Sequence, residues 1–210
     1  ASAINCYREI TIWMVSIMPA YVTVKRLLAF FLLLFVSVQT VQAETFYIEQ
    51  ARTSPAGNGY LLNASISYPL NARVKEALYN GVPITFVQEI QLIRSYPVLG
   101  EWWQWQSNIW SNEIRYVLRY HDLSQQYLLH SMDTKTHRNF TTMESALSAM
   151  GEIKDFSLPP QHTLDTSDLT LRVRSQIDLN ALPSPMRPGA FLSNKWDLAS
   201  DWYEVAWPSN

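Results

Sequence analysis

The residues of this sequence that could perform nucleophilic catalysis fall in one short stretch, His121-Asp122 with Ser124. A serine, a histidine and an aspartate are the residue types of a hydrolytic relay. Neighbouring residues on an extended segment point to opposite sides, so we expect these three not to form a relay among themselves. The sequence also contains no Gly-x-Ser-x-Gly elbow. We therefore predict no catalytic residues, and a hydrolase whose site is assembled from distant segments is the alternative.

Histidine is also a common metal ligand. The spacings of the four histidines match no compact ligand motif. The only cysteine, Cys6, lies near the amino terminus, so the main part of the chain offers no thiolate ligand. His130 and His137 flank the polar turn at residues 133–136, and we expect both to face water. The sequence thus predicts neither a metal site nor a cofactor. The histidines are His121, His130, His137 and His162.

The most unusual stretch is an aromatic cluster, in which four of the chain's eight tryptophans fall close together. They are Trp102, Trp103, Trp105 and Trp110. Exposed tryptophan supplies large, rigid contact area and often dominates the binding energy of an interface. The same amphipathic rings also suit a membrane interface. Docking of a partner is therefore one interpretation, contact with a membrane is a second, and closure of one end of the core is a third.

Two pairs of arginines could bind an anion. Arg172 and Arg174 lie on one face of a predicted strand, and Arg115 and Arg119 lie on one face of another. If the two strands pair, the four guanidinium groups form a basic stripe that could receive a carboxylate or a phosphate by bidentate contacts. The alternative is a ladder of surface salt bridges between neighbouring strands.

The positions of these residues depend on elements that the hydrophobic pattern predicts. Alternation of apolar and polar residues is typical of strands with one buried face. A switch to helical spacing marks two helices, at 71–80 and 141–150. The absence of βαβ alternation favours an antiparallel arrangement. We predict a mainly β (α+β) fold, an antiparallel β-sandwich or strongly curved sheet of seven or eight strands with two short helices. The clearest strands are 46–51, 60–68, 82–95, 110–120, 126–132, 169–177 and 202–207.

Capping residues define both helices. Asn71 can accept a hydrogen bond from a free N–H at the start of the first helix, and Gly81 is expected to end it. Thr141 and Glu144 have the spacing of a capping box at the start of the second helix, and Gly151 is expected to end it.

The two longest predicted strands, 82–95 and 110–120, are expected to form a hairpin with a wide tip that carries the tryptophan cluster. Three prolines in Leu182–Pro188 exclude a strand or a long helix there. No linker divides the remaining chain, so we predict a single domain over residues 44–210.

The first 43 residues have the layout of an export signal. Lys25 and Arg26 precede the apolar run Leu27–Val38, and Val41-Gln42-Ala43 suits cleavage. The run is about a dozen residues long, whereas a membrane-spanning helix needs roughly 20. We predict a cleaved signal and a periplasmic location, with an uncleaved inner-membrane anchor as the alternative. Met18 is the expected natural start.

The charge balance argues against a role in nucleic-acid binding. The chain carries a net charge of −2 at pH 7. Residues 1–43 hold three basic residues and one acidic residue, so the remaining domain is more acidic, at −4. Binding to phosphates or anionic lipids needs a basic face. We expect no nucleic-acid partner, and membrane contact only through the signal or the tryptophan cluster.

Five separate blocks of the sequence carry a resemblance to a known family. They are Glu76–Phe86, Trp102-Trp103, Leu118–Tyr127, Asp178–Pro183 and Trp196–Trp202. Together they resemble the proteobacterial family called domain of unknown function 4390. The resemblance implies exported proteins, often encoded near a sensor histidine kinase of the nitrogen-regulation type. It implies no activity and no catalytic residue.

These observations lead to a hypothesis about function. The chain is a non-enzymatic periplasmic interaction module, whose β scaffold presents residues 102–110, together with the Leu182–Pro188 loop, to a protein partner in the cell envelope. A membrane sensor kinase is the candidate partner that the resemblance implies. The alternatives are a carrier of an apolar or lipid ligand, held between sheet and helices, and the hydrolase with a dispersed site.

Overall fold

The computed structural model describes residues 45–206, except residues 58, 98–103 and 160–168. The described residues belong to one compact unit, 44–210. Among them, nine strands form two antiparallel sheets, so the predicted mainly β class is confirmed. The strands are β1 (Tyr47–Ala56), β2 (Gly59–Ser67), β3 (Ile84–Pro97), β4 (Gln104–His121), β5 (Gln126–Ser131), β6 (His137–Phe140), β7 (Glu152–Ser157), β8 (Leu169–Ile177) and β9 (Tyr203–Ala206).

The smaller sheet has the strand order β1-β2-β7, and the larger sheet has the order β6-β5-β4-β3-β8-β9. Three short helices accompany them, α1 (Ala72–Tyr79), α2 (Met143–Gly151) and α3 (Arg187–Phe191). The hydrophobic pattern predicts neither β6 nor β7, because both are short and mostly exposed. It also misses α3, which fits the expectation that the proline-rich segment holds no long helix. In the described ranges, no helix has the length and apolar character needed to cross a bilayer.

Strict alternation in β2 and β8 explains how the core forms. In each strand, every second side chain is buried. Leu62 of β2 and Leu171 and Val173 of β8 are fully buried and join one hydrophobic core. Burial of such a side chain contributes roughly 1.5–3 kcal/mol. The alternation that predicts these strands is therefore also a main source of their stability.

The first helix begins and ends as predicted. Asn71 Oδ1 accepts a hydrogen bond from the Val74 N–H at 3.0 Å. Gly81 follows the helix with a φ of +76°, in the left-handed region that favours glycine. Between these ends, α1 buries Val74, Ala77 and Leu78 against the core.

The second helix is capped by a different residue from the one predicted. Thr142 has an extended backbone, and its Oγ1 accepts a hydrogen bond from the Ser145 N–H at 3.2 Å. The expected capping box of Thr141 and Glu144 is therefore wrong, because the extended N-cap residue lies one position later.

Gly151 has a different role from the predicted stop. It is the last residue of α2 and is buried. A β-carbon at this position would overlap the backbone carbonyl oxygen of Ile66 on β2. Glycine is needed here because the helix end packs directly against the backbone of the smaller sheet.

The hairpin of β3 and β4 is longer than predicted. All of β3 pairs with β4, from Ile84 opposite Leu118 to Pro97 opposite Gln104. Because β4 begins at Gln104 rather than at residue 110, Trp105 lies on a strand and not in a wide tip. The predicted hairpin itself is present.

The far end of this hairpin has fewer strand neighbours than the rest of it. Among the described residues, β8 pairs with β3 as far as Arg94, and β5 pairs with β4 from Tyr116 onward. Within the described ranges, residues 95–97 and 104–106 therefore pair only with each other, as a two-stranded ribbon. We call these residues the aromatic arm.

Candidate functional site: the aromatic arm

The aromatic arm carries two exposed aromatic residues directly opposite each other. Tyr96 on β3 pairs with Trp105 on β4, and the two residues are 45% and 61% exposed. Arg94 Nη1 donates to Tyr96 Oη at 3.5 Å, which gives the tyrosine a polar neighbour. Opposite side chains of an antiparallel pair lie close enough to touch. The two rings therefore offer one patch rather than two isolated exposed residues.

The remaining tryptophans of the cluster differ from Trp105. Trp110 is half-buried and packs against the hydrophobic core, with its ring centroid 6.5 Å from that of Phe156 on β7. Trp102 and Trp103 lie outside the described residues. Trp110 therefore fits the interpretation that the cluster closes one end of the core, whereas Trp105 is exposed to solvent.

The predicted arginine stripe does not form as expected, because β3 lies between β4 and β8 and keeps them from pairing. On β8, Arg172 donates from Nε and Nη2 to Gln91 Oε1, at 3.0 and 2.7 Å. Arg174 Nη2 donates to Glu89 Oε1 at 2.9 Å. Both partners are on β3, so these contacts match the cross-strand ladder that was the alternative.

The ring of Trp202 covers both of these arginines. Its centroid lies 4.3 Å from the guanidinium carbon of Arg172 and 4.6 Å from that of Arg174. On β4, Arg115 Nη2 lies 2.7 Å from Glu113 Oε2. Arg119 is exposed and has no ion pair among the described residues. Three of the four guanidinium groups thus already contact neighbouring side chains, and an anion would have to displace those contacts.

The turn between β4 and β5 brings two of the candidate catalytic residues together. Ser124 Oγ lies 3.0 Å from His121 Nδ1, and the Ser124 N–H is 3.3 Å from the same nitrogen. The two side chains meet because residues 122–125 form a tight turn rather than the extended segment that the prediction assumed. That they form no catalytic relay stays a prediction. The backbone N–H donates to Nδ1, so this ring nitrogen serves to close the turn.

Three surface cavities bear on the carrier alternative. Their volumes are about 460, 530 and 290 Å³. The largest of the three is lined by charged side chains that include Glu89, Glu113, Arg115 and Asp178. These linings suit a small polar ligand better than a lipid tail. Within the described ranges, no group of three or more histidine, cysteine or acidic residues could hold a metal ion.

A buried polar network, which the sequence analysis misses, connects the two sheets. Gln88 Nε2 donates to Tyr68 Oη at 2.9 Å and to the Met150 carbonyl oxygen at 2.8 Å. The Tyr68 and Ser175 hydroxyls lie 3.0 Å apart. Burial raises the pKa of Tyr68 to about 12. A glutamine within the apolar run of β3 was the available signal. Because the network is closed to solvent, we assign it to holding the sheets together.

Comparison with known proteins identifies the family. The model of the family described as Domain of unknown function (DUF4390) matches residues 43–206. No curated protein and no solved structure matches the chain. The family match spans both sheets and the aromatic arm, and it confirms the resemblance found in the sequence. The chain therefore belongs to the DUF4390 family.

Proposed function

We propose that this chain is an exported, non-enzymatic interaction module, which presents the aromatic arm to a protein partner in the cell envelope. The observation that carries the proposal is the exposed pair of Tyr96 and Trp105, which lie opposite each other on the paired ends of β3 and β4. Aromatic residues of this kind supply contact area while losing little side-chain entropy on binding. Backbone pairing along the ribbon holds the two rings in place before a partner arrives.

The location in the proposal depends on the amino-terminal sequence. Lys25 and Arg26, the apolar run Leu27–Val38 and the small residues before Glu44 have the order of a cleaved export signal. Export would place the aromatic arm in the periplasm. The periplasmic part of a membrane sensor kinase is the first partner to test, since the family resemblance implies that link.

The contacts of the other candidate residues favour the aromatic arm. Arg172 and Arg174 contact Gln91, Glu89 and Trp202. His121 and Ser124 close a turn. In contrast, Trp105 is largely exposed on the arm. Trp105 therefore offers a protein partner an exposed aromatic surface that no described neighbour covers.

Site-specific crosslinking in living cells tests the proposal. A photoreactive amino acid replaces Trp105 in one strain and Leu123 in another. Leu123 is a matched control because it is 93% exposed and lies in the turn at the opposite end of β4. We expect position 105 to crosslink one envelope protein and position 123 not to do so.

Affinity for the partner identified in this way provides the second half of the test. Removal of a central aromatic contact commonly costs 2 kcal/mol or more, so we expect Trp105→Ala to weaken binding by about tenfold or more. Leu123→Ala should leave the affinity unchanged. Crosslinks to lipid alone, or equal affinities for the two variants, would reject the proposal.

A further inference from the structure

Two histidines on the β5–β6 hairpin, away from the aromatic arm, lie face to face. His130 on β5 pairs with His137 on β6. The Ser131 N–H donates to the Thr136 carbonyl oxygen at 3.0 Å. The next pair along the ladder is therefore of the non-hydrogen-bonded type, in which side chains approach most closely. Accordingly, the two imidazole centroids are 4.1 Å apart, with 11° between the ring planes.

The hydrogen bond of His130 fixes which of its nitrogens is free. Its Nδ1 lies 3.2 Å from the carbonyl oxygen of Thr136. A carbonyl oxygen can only accept, so Nδ1 carries the proton, and a neutral ring then has its lone pair on Nε2. Histidines that bind metals characteristically donate their other ring N–H to a carbonyl or a carboxylate. His130 is thus held in the form that can bind a metal through Nε2.

We propose that His130 and His137 together bind one divalent transition-metal ion, Cu²⁺, Ni²⁺ or Zn²⁺, with water completing the coordination. Metal–imidazole bonds of about 2.0–2.1 Å require the two ligand nitrogens to lie roughly 3 Å apart. The two rings are nearly parallel, so their nitrogen lone pairs lie in parallel planes and do not meet in the stacked arrangement. The His137 ring must therefore rotate out of the stack to bring a nitrogen to an ion on His130 Nε2. His137 is exposed, and its side-chain contact within the described ranges is the stack on His130, so its ring is free to rotate.

The residues around the pair define the class of metal. Imidazole suits Cu²⁺, Ni²⁺ and Zn²⁺, whereas Ca²⁺ and Mg²⁺ prefer oxygen ligands. Arg138, the neighbour of His137, packs over the ring of Phe140 at 5.0 Å, on the opposite face of the strand. The residue opposite His130 on β4 is the uncharged Val117. With two protein ligands, Cu²⁺ should bind more tightly than Ni²⁺ or Zn²⁺.

A bound ion would join the edge of the larger sheet to its neighbour. β6 is four residues long, and among the described strands it pairs with β5 alone. An ion that binds the folded hairpin but not the unfolded chain stabilises the folded state by mass action. The hairpin would then be more ordered and more resistant to heat when the metal is present.

Titration of the metal salts alone into the purified full chain, without a polyhistidine tag, tests this site. We expect one equivalent of Cu²⁺ to bind, and His137→Ala and His130→Ala each to weaken binding by about tenfold or more. His121→Ala is the matched control, since it removes a histidine outside the pair, and it should bind Cu²⁺ as the original chain does. Electron paramagnetic resonance should show two nitrogen ligands in the original chain and one in either site variant.

Thermal unfolding provides a second readout that does not depend on the titration. Cu²⁺ should raise the melting temperature of the original chain and of His121→Ala, but not that of His137→Ala. Equal Cu²⁺ affinity in His137→Ala and the original chain would overturn the proposal. So would an equal loss of affinity in His121→Ala, or the absence of binding at millimolar metal.

Discussion

The two halves of β3 have the same strand conformation but opposite surroundings. From Ile84 to Leu92, every inward-facing side chain of β3 is fully buried, including the polar Gln88. Beyond Arg94, no described residue of β8 pairs with the strand, and Tyr96 is 45% exposed opposite Trp105. What changes along the strand is how deeply its side chains are buried. The buried half therefore stabilises the fold, and the exposed half is available for contact.

The largest expected effect is in the buried half. Phe86 is fully buried, with its ring centroid 5.9 Å from that of Phe46 and 5.5 Å from that of Tyr68. Phe86→Ala should lower the free energy of unfolding by about 3–5 kcal/mol, because it leaves a cavity in a packed core. Urea denaturation followed by fluorescence measures this change. Phe191→Ala is the control, since Phe191 is 57% exposed, and a similar loss in both variants would contradict the comparison.

A smaller loss of stability is expected at Gly151, where the packing leaves no room for a β-carbon. Gly151→Ala places a methyl group against the Ile66 carbonyl oxygen, and such overpacking typically costs about 1–3 kcal/mol. The control is Gly189→Ala in α3, where an added β-carbon meets nothing within 4 Å. Thermal unfolding should show a lower melting temperature for Gly151→Ala alone. If both variants melt like the original chain, the close packing of α2 on β2 is wrong.

The buried network predicts a dependence on alkaline pH. In the unfolded chain Tyr68 ionises near its usual pKa of 10, whereas burial raises its folded pKa to about 12. Between these values the folded state holds more protons than the unfolded state, so stability falls as the pH rises. The stability contributed by the neutral hydroxyl is complete below pH 10, and about 1 kcal/mol is lost per pH unit above it.

Tyr68→Phe removes this dependence. At neutral pH the variant should be less stable by about 1 kcal/mol, because the Gln88 and Ser175 contacts to the hydroxyl are lost. As the pH rises from 10 toward 12, the difference in stability between the two proteins should shrink to zero and then reverse, because the loss over this range exceeds about 1 kcal/mol. Urea denaturation across this range measures it, and other tyrosines cancel because both proteins retain them. Tyr47→Phe, at an exposed site, should lose stability with rising pH as the original chain does. The same pH dependence in Tyr68→Phe would contradict the prediction.

The smallest change in stability is expected in the aromatic arm. Trp105 is 61% exposed, so Trp105→Ala should alter the free energy of unfolding by less than about 0.5 kcal/mol. Trp110→Ala should cost more, because its ring packs against the core. Denaturation of the two variants side by side checks this order, and the reverse order would show that the arm is packed rather than open.

Much of the fold could be predicted because local patterns agree with tertiary packing. The alternation in β8 predicts its buried residues, and Asn71 predicts the start of α1. β6 and β7 could not be predicted in this way, since exposed side chains on both faces leave no alternation to detect. Thr142 is the N-cap of α2, and its backbone is extended. The sequence alone does not distinguish it from Thr141, because both residues are threonine.

The candidate sites were harder to predict from the sequence, because they depend on which strands become neighbours. Arg115 and Arg174 have the right types for one anion site, yet β3 separates their strands. His130 and His137 come together only because the turn between them forms a hairpin with that register. Trp105 was picked out by composition, but its position on a paired ribbon follows from the length of β4.

The most direct test of the account is to measure binding and folding together on one double variant, Tyr96→Ala with Trp105→Ala. The variant should unfold at nearly the same urea concentration as the original chain, yet lose affinity for the crosslinked envelope partner by well over tenfold. An unchanged affinity in a fully folded double variant would show that the exposed half of β3 and β4 is not the contact surface.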